Sequence, residues 1–338
     1  MYANEKKINR LFLFWLISSL ILVFLIIVVG GLTRLTDSGL SITEWELFTG
    51  LLPPLNSNTW EIYFNEYKKI PQYEILNFNM TIDEFKTIFY WEYFHRILAR
   101  LIGLFFLIPL IYFYYVNKIN KKYLKICFYV FLLIIFQGII GWFMVKSGLA
   151  HDVTVSHYRL AIHLTTAIFI ISIIFWLILN IIKKTNKIFF KLKMQYLPYI
   201  ILILLIYFQI IIGALVSGLD AGRIYQTWPL MGNSFFPNDL SFYNFFELNN
   251  HSLVQFYHRI VAYLIIFYVL FLSIFIIKKK ILNLYLPLII LIIFLLAQAI
   301  LGIVTLISGL NIYLASAHQI TGVLLVFSAL NLYYFRTK

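Results

Sequence analysis

The chain has 338 residues, 62% of them hydrophobic and only 12% charged, about half the charge fraction usual in soluble domains. With a mean hydropathy of +0.87, it is excluded from the water-soluble globular class. The net charge of +13 does not point to nucleic acid, because its lysines and arginines are gathered into short connections, not spread over one face.

A helix that crosses a bilayer needs about 20 mainly apolar residues. Eight such runs occur in chain order, at about 11–31, 91–115, 123–145, 156–182, 196–217, 252–277, 283–307 and 313–335. The first could be taken for a signal peptide, but it is long, no small-residue cleavage site follows, and it has a counterpart later in the chain. It is therefore read as a span. Lys6, Lys7 and Arg10, the connections 118–125, 183–193 and 278–280, and Arg336 with Lys338 all fall on one side if the spans alternate. The opposite loops, 32–90 and 218–251, hold most of the acids. The positive-inside rule then places both termini in the cytoplasm. The first outer loop, with Pro53-Pro54 and several Trp and Tyr, reads as a folded amphipathic cap. Cys127, the one cysteine, allows no disulfide within the chain and reads as a small buried residue.

The chain repeats itself. At an offset of 183, Gly30, Asp37, Gly39, Trp45 and Leu47 match Gly213, Asp220, Gly222, Trp228 and Leu230. At 163, Tyr93, His95, Arg96, Ile97, Ala99 and Leu101 align with Phe256, His258, Arg259, Ile260, Ala262 and Leu264. At 161, Gln137, Gly141 and Ser147-Gly148-Leu149 match Gln298, Gly302 and Ser308-Gly309-Leu310. At 155, Tyr158, His163 and Thr166 match Tyr313, His318 and Thr321. The expected architecture is an all-α integral membrane protein of eight transmembrane helices, arranged as two tandem four-helix bundles in parallel repeat. The expected halves are 1–182 and 183–338.

Of seven histidines, His95, His163, His258 and His318 lie inside the second, fourth, sixth and eighth spans, all of which run from outside to inside. Each lies one to two turns below the outer end, roughly 5–10 Å deep at about 1.5 Å per residue. His151, His157 and His251 are more external and form no repeat pair. Imidazole at such depth is a hydrogen-bonded structural group, a proton relay or a metal ligand. Zinc calls for three or four ligands, whereas haem iron takes two axial imidazoles inside a helical bundle. Two histidines per half fit haem better. Arg96, Arg100, Arg159 and Arg259 lie near these histidines, either snorkelling to the interface or gripping haem propionates.

The halves differ in one telling place. Glu92 aligns with Gln255, and Arg100 with Tyr263. Glu92 shares a helix face with His95 and Arg96, which suits either an ordinary i,i+4 ion pair or a chemical role that glutamine cannot take over, since it does not titrate. The expectation is that the first half performs the reaction and the second holds a permanent redox cofactor.

Eight motifs carry a resemblance: GGLTRLTDSGLSITEW (30–45), PPL with the following Trp (53–60), EFKTIFYWEYFHR (84–96), YRLAIHL (158–164), LDAGRIYQTWPLM (219–231), VQFYHR (254–259), LGIVTL (301–306) and AHQ (317–319). Over nearly its whole length the chain resembles the haem A synthase family, in the mitochondrial and proteobacterial branch. The resemblance implies an oxidoreductase acting on a CH, CH2 or CH3 group: the C8 methyl of haem O is hydroxylated twice, by way of haem I, and loses water to leave the formyl group of haem A, which serves terminal oxidases. It implies haem b as cofactor, with His258 and His318 as its axial iron ligands and Arg259 beside it. It implies that His95 and His163 hold the iron of the substrate haem O, with Arg96 in substrate binding and Glu92 among the catalytic groups. The implied partners are a haem O synthase as donor, the lipid bilayer of the cell (inner) membrane, an electron acceptor of unspecified kind and, where the chain self-associates, further copies of itself. Cysteine pairs found in the outer loops of another branch are absent here, and Gln226 stands where the family often has Asn. The runner-up reading is a diheme b-type cytochrome that only transfers electrons; a parallel-repeat transporter would explain the repeat but not the histidines.

Overall fold

The computed structural model describes residues 2–44, 50–151, 153–240 and 246–337, with the backbone alone at 2–8, 150 and 151. Trp45 and Leu47, counted among the repeat matches, lie outside the described residues. Among the described residues the regular structure is all helix, joined by turns and irregular connections, apart from an isolated bridge between Met231 and Ser234. In order, the helices are α1 (Tyr2–Leu35), α2 (Ser57–Tyr67), α3 (Pro71–Leu76), α4 (Ile82–Val116), α5 (Lys121–His151), α6 (His157–Ile182), α7 (Leu197–Gly218), α8 (His251–Lys278), α9 (Tyr285–Ile307) and α10 (Ile312–Arg336). Eight of them, all but α2 and α3, are long and apolar enough to cross a membrane, as hydropathy predicts.

The second span starts earlier than its apolar run. α4 begins at Ile82 because Thr81 forms a capping box with Glu84, each side chain bonding the other's backbone N–H. The helix thus gains more than two turns before Trp91, and these carry Phe85 and Phe89.

The chain divides into two compact units, Met1–Ile174 and Phe175–Lys338. In the first, α4 packs on α1 and α5. The segment between α1 and α4 folds over it: Leu40, Ile42, Trp60, Phe64, Tyr67 and Ile70 pack with Phe85 and Phe89 in one buried cluster. Trp60 meets Phe89 edge-on at 5.0 Å. The buried Tyr67 hydroxyl donates to Gln72 Oε1 at 3.0 Å and accepts from Asn77 Nδ2 at 2.8 Å. Burial raises its pKa to about 12, so it stays neutral.

In the second unit, α7, α8, α9 and α10 pack in a closed ring, each against the next and α10 against α7. The end of α6 belongs to this unit, with Trp176 against Tyr333 at 5.4 Å and Tyr334 at 5.0 Å. Asp37 and Asp220, which follow α1 and α7, both adopt the left-handed conformation, at φ 51° and 52°. Aspartate tolerates that region better than most residues.

Candidate functional site

The four histidines meet in pairs. His95 on α4 and His163 on α6 have ring centroids 6.5 Å apart with planes at 71°. His258 on α8 and His318 on α10 stand at 6.4 Å and 74°. All four are half-buried. Metal–imidazole bonds are about 2 Å long, so two such bonds plus about 1 Å from each nitrogen to its ring centre span about 6 Å, close to both separations. No group of three or more His, Cys, Asp and Glu able to hold a metal occurs among the described residues, so each centre offers two imidazoles and no third ligand.

Each imidazole sits against a glycine on the neighbouring helix. A Cβ at Gly30 would lie 3.1 Å from His95 Nε2, and at Gly141, Gly213 and Gly302 it would lie 3.2, 3.1 and 2.9 Å from Cε1 of His163, His258 and His318. Any side chain there would push the ring. The sequence showed these four glycines as repeat markers but gave them no role.

Glutamines stand beside three of the histidines. Gln137 Nε2 donates to the His163 carbonyl at 2.8 Å, and Gln209 Nε2 to the His258 carbonyl at 2.9 Å while lying 3.1 Å from His258 Nδ1. His318 Nδ1 donates to the Gln298 carbonyl at 3.1 Å. A carbonyl can only accept, so this bond makes Nε2 the unprotonated nitrogen of a neutral His318 ring, and the Gln298 side-chain amide nitrogen lies 3.3 Å from it. His163 Nδ1 is buried without a partner, the kind of group that marks a ligand-binding position.

In the N-terminal part of α4, Glu92 is buried. Its Oε1 accepts from Arg96 Nε at 3.0 Å and from Arg96 NH2 at 2.6 Å. Its Oε2 accepts from Ser41 Oγ at 2.7 Å and from the Ile42 backbone N–H at 2.9 Å. Arg96 also donates to the carbonyls of Ile42 and Glu44, and Arg100 to that of Gly50. The acid therefore ties α4 to the segment that follows α1. In the second unit the amide reverses the polarity: Gln255 Nε2 donates to the Tyr225 carbonyl at 2.9 Å, which also accepts from Arg259 at 3.1 Å. Arg259 donates to the Leu230 carbonyl as well. Both arginines thus grip carbonyls of the segments that follow α1 and α7. Ser41, the second partner of Glu92, was not singled out by the sequence. In the connection between α7 and α8, burial raises the Asp239 carboxyl, but hydrogen bonds from Ser252 and Tyr225 outweigh it and hold the group below the usual range.

Residues 13–330 match the cytochrome oxidase assembly protein family, COX15-CtaA. The chain belongs to the haem A synthase family. It is 48% identical over 331 residues to a haem A synthase of Pelagibacter ubique, with 97% of each chain covered. A haem A synthase of Rickettsia bellii is 42% identical, covering 95% of this chain and 96% of the relative. One from Nitrosomonas eutropha is 42% identical, covering 94% and 91%. With eight spanning-length helices, this member of the family is a multi-pass protein of the cell membrane.

Proposed function

We propose that the chain oxidises the C8 methyl of haem O to the formyl group of haem A, by two successive hydroxylations through haem I. What carries this reading is the pairing of four intramembrane histidines into two centres of nearly equal geometry, in a chain whose relatives are haem A synthases. His95 and His163 hold the iron of the substrate haem. His258 and His318 hold haem b, whose chemistry when bound is one-electron transfer. The two-ligand chemistry, the imidazole spacing and the close-packed glycines suit such a group.

The chain's own residues position and balance charge. Four donors fix Glu92 as an acceptor, so its proposed part is to stabilise positive charge that develops on the substrate as its methyl is oxidised. Arg96 and Arg259, which hold the segments that follow α1 and α7, would supply positive charge to haem propionates. The two units are read as parallel repeats with both termini cytoplasmic, and a haem O synthase is the donor of the substrate. Expressed in a host that makes haem O but no haem A, the chain should yield haem A. Protein present in the membrane without haem A would contradict the proposal.

A further inference from the structure

The connection between α6 and α7 carries five lysines, Lys183, Lys184, Lys187, Lys191 and Lys193, and no acid occurs between Asp152 and Asp220 or after Glu247. Clustered lysine beside a span follows from topology alone. The shape of this connection does not. The buried Trp176 and Asn180 donate through Nε1 and Nδ2 to the Lys187 carbonyl, at 3.0 Å each. Asn180 Oδ1 accepts from the Lys187 backbone N–H at 3.0 Å and from the Thr185 hydroxyl at 2.8 Å. Four residues on, the Lys191 backbone N–H donates to the buried Tyr333 hydroxyl at 2.8 Å. The Lys187 ammonium donates to the carbonyls of Tyr334 and Thr337. The ends of α6 and α10 thus fix the segment at both lysines, which a topogenic signal does not require.

Between these ties the chain runs without helix or strand, and in extended chain successive side chains face opposite ways. Ile188, Phe190, Leu192 and Met194 are all exposed, while Phe189 turns in against Trp176 at 5.3 Å. Beside this row lies a cavity of about 290 Å³, lined by Thr185, Asn186, Lys187, Ile188, Lys191 and Thr337. Ligand sites begin at about 300 Å³. The lining has two lysines and no acid, and the Lys191 ammonium has no partner among the described residues.

We propose that this cavity binds the phosphate of an anionic phospholipid, with Lys191 as its main cation and the row Ile188, Phe190, Leu192 and Met194 lying among the acyl chains. Basic pockets between membrane helices hold such head groups at the lipid surface. The ends of α6 and α10 and the start of α7, all helices of spanning length, put the cavity at that level. An apolar row beside two ammonium groups matches a molecule with hydrocarbon chains joined to a phosphate. A free phosphate would use the lysines and leave the row without a counterpart. The inference does not depend on what the histidine pairs hold.

The test is native mass spectrometry of the full-length protein in detergent, titrated with phosphatidylglycerol or with phosphatidylcholine of the same acyl chains. The first phosphatidylglycerol should bind more tightly than the first phosphatidylcholine. Lys191→Gln should weaken it by about fivefold, the share of one lysine at an anionic surface, and Lys191→Arg should keep it. Asn186→Asp puts a negative charge at an exposed residue of the same cavity. It should weaken binding at least as much, and it carries the test if Lys191→Gln fails to accumulate. Lys279→Gln removes the same charge from an exposed position between α8 and α9 and should bind as the wild type does. Equal binding of the two lipids, or equal losses in Lys191→Gln and Lys279→Gln, would overturn the proposal. Displacement of the lipid by inorganic phosphate, but not by sodium chloride of equal ionic strength, would overturn it too and mark a site for free phosphate.

Discussion

Glu92 and Arg96 form an ion pair at 2.6 Å with side-chain exposures of only 3% and 12%. The corresponding Gln255 and Arg259 form no such pair; both donate to the carbonyl of Tyr225. The start of α4 in the first unit thus rests on a buried charge pair, where the start of α8 in the second rests on neutral acceptors.

Arg96→Leu should therefore be more damaging than the loss of an exposed pair. Removing one member of a buried pair costs roughly 3–5 kcal/mol, because the other is left uncompensated. The expected result is a clear fall in the thermal midpoint of the purified protein, with Glu92→Gln/Arg96→Leu recovering part of it. Equal midpoints for Arg96→Leu and the wild type would mean the pair bears no weight.

Glu92→Gln copies the second unit while keeping side-chain shape. It should retain haem in both centres, yet lower conversion of haem O by at least tenfold, read as the ratio of haem A to haem O in extracted pigment. Unchanged product would remove Glu92 from the reaction and leave it only as a tie to Ser41 and Ile42.

The glycine contacts predict a graded effect. Gly302→Ala places a Cβ 2.9 Å from His318 Cε1, whereas at Gly138 a Cβ meets nothing within 4 Å. Gly302→Ala should alter the haem spectrum and speed haem loss, with Gly138→Ala matching the wild type. Identical spectra for the two variants would show that the His318 ring has room to spare.

The cap is expected to be structural. Trp60 contacts Phe89 at 5.0 Å and Tyr90 at 5.5 Å, and truncating a buried tryptophan costs about 3–5 kcal/mol. Trp60→Ala should make residues 50–80 more open to protease added to purified protein. Unchanged cleavage would argue that the cap holds without its aromatic centre.

Hydropathy made the eight spans legible, since the bilayer demands length and apolarity and little else. The four histidines were legible because polar groups inside spans are few. The start of α4 was not, because a polar capping box lies outside any hydropathy signal, although Thr81 and Glu84 spell it. The partners of Glu92 were hidden because Ser41 and Ile42 lie some fifty residues away and meet it only through the fold. Gln209 escaped notice for a different reason: repeat comparison seeks identities, and its counterpart is Ile26.

The central claim concerns what the two histidine pairs hold. Pigment extracted from the purified full-length chain and separated by chromatography tests it most directly. Haem B together with haem O, haem I or haem A is the predicted result, with haem B lost in His258→Ala or His318→Ala and conversion impaired in His95→Ala. Haem B alone, even with haem O supplied, would contradict it and favour a diheme cytochrome that only transfers electrons.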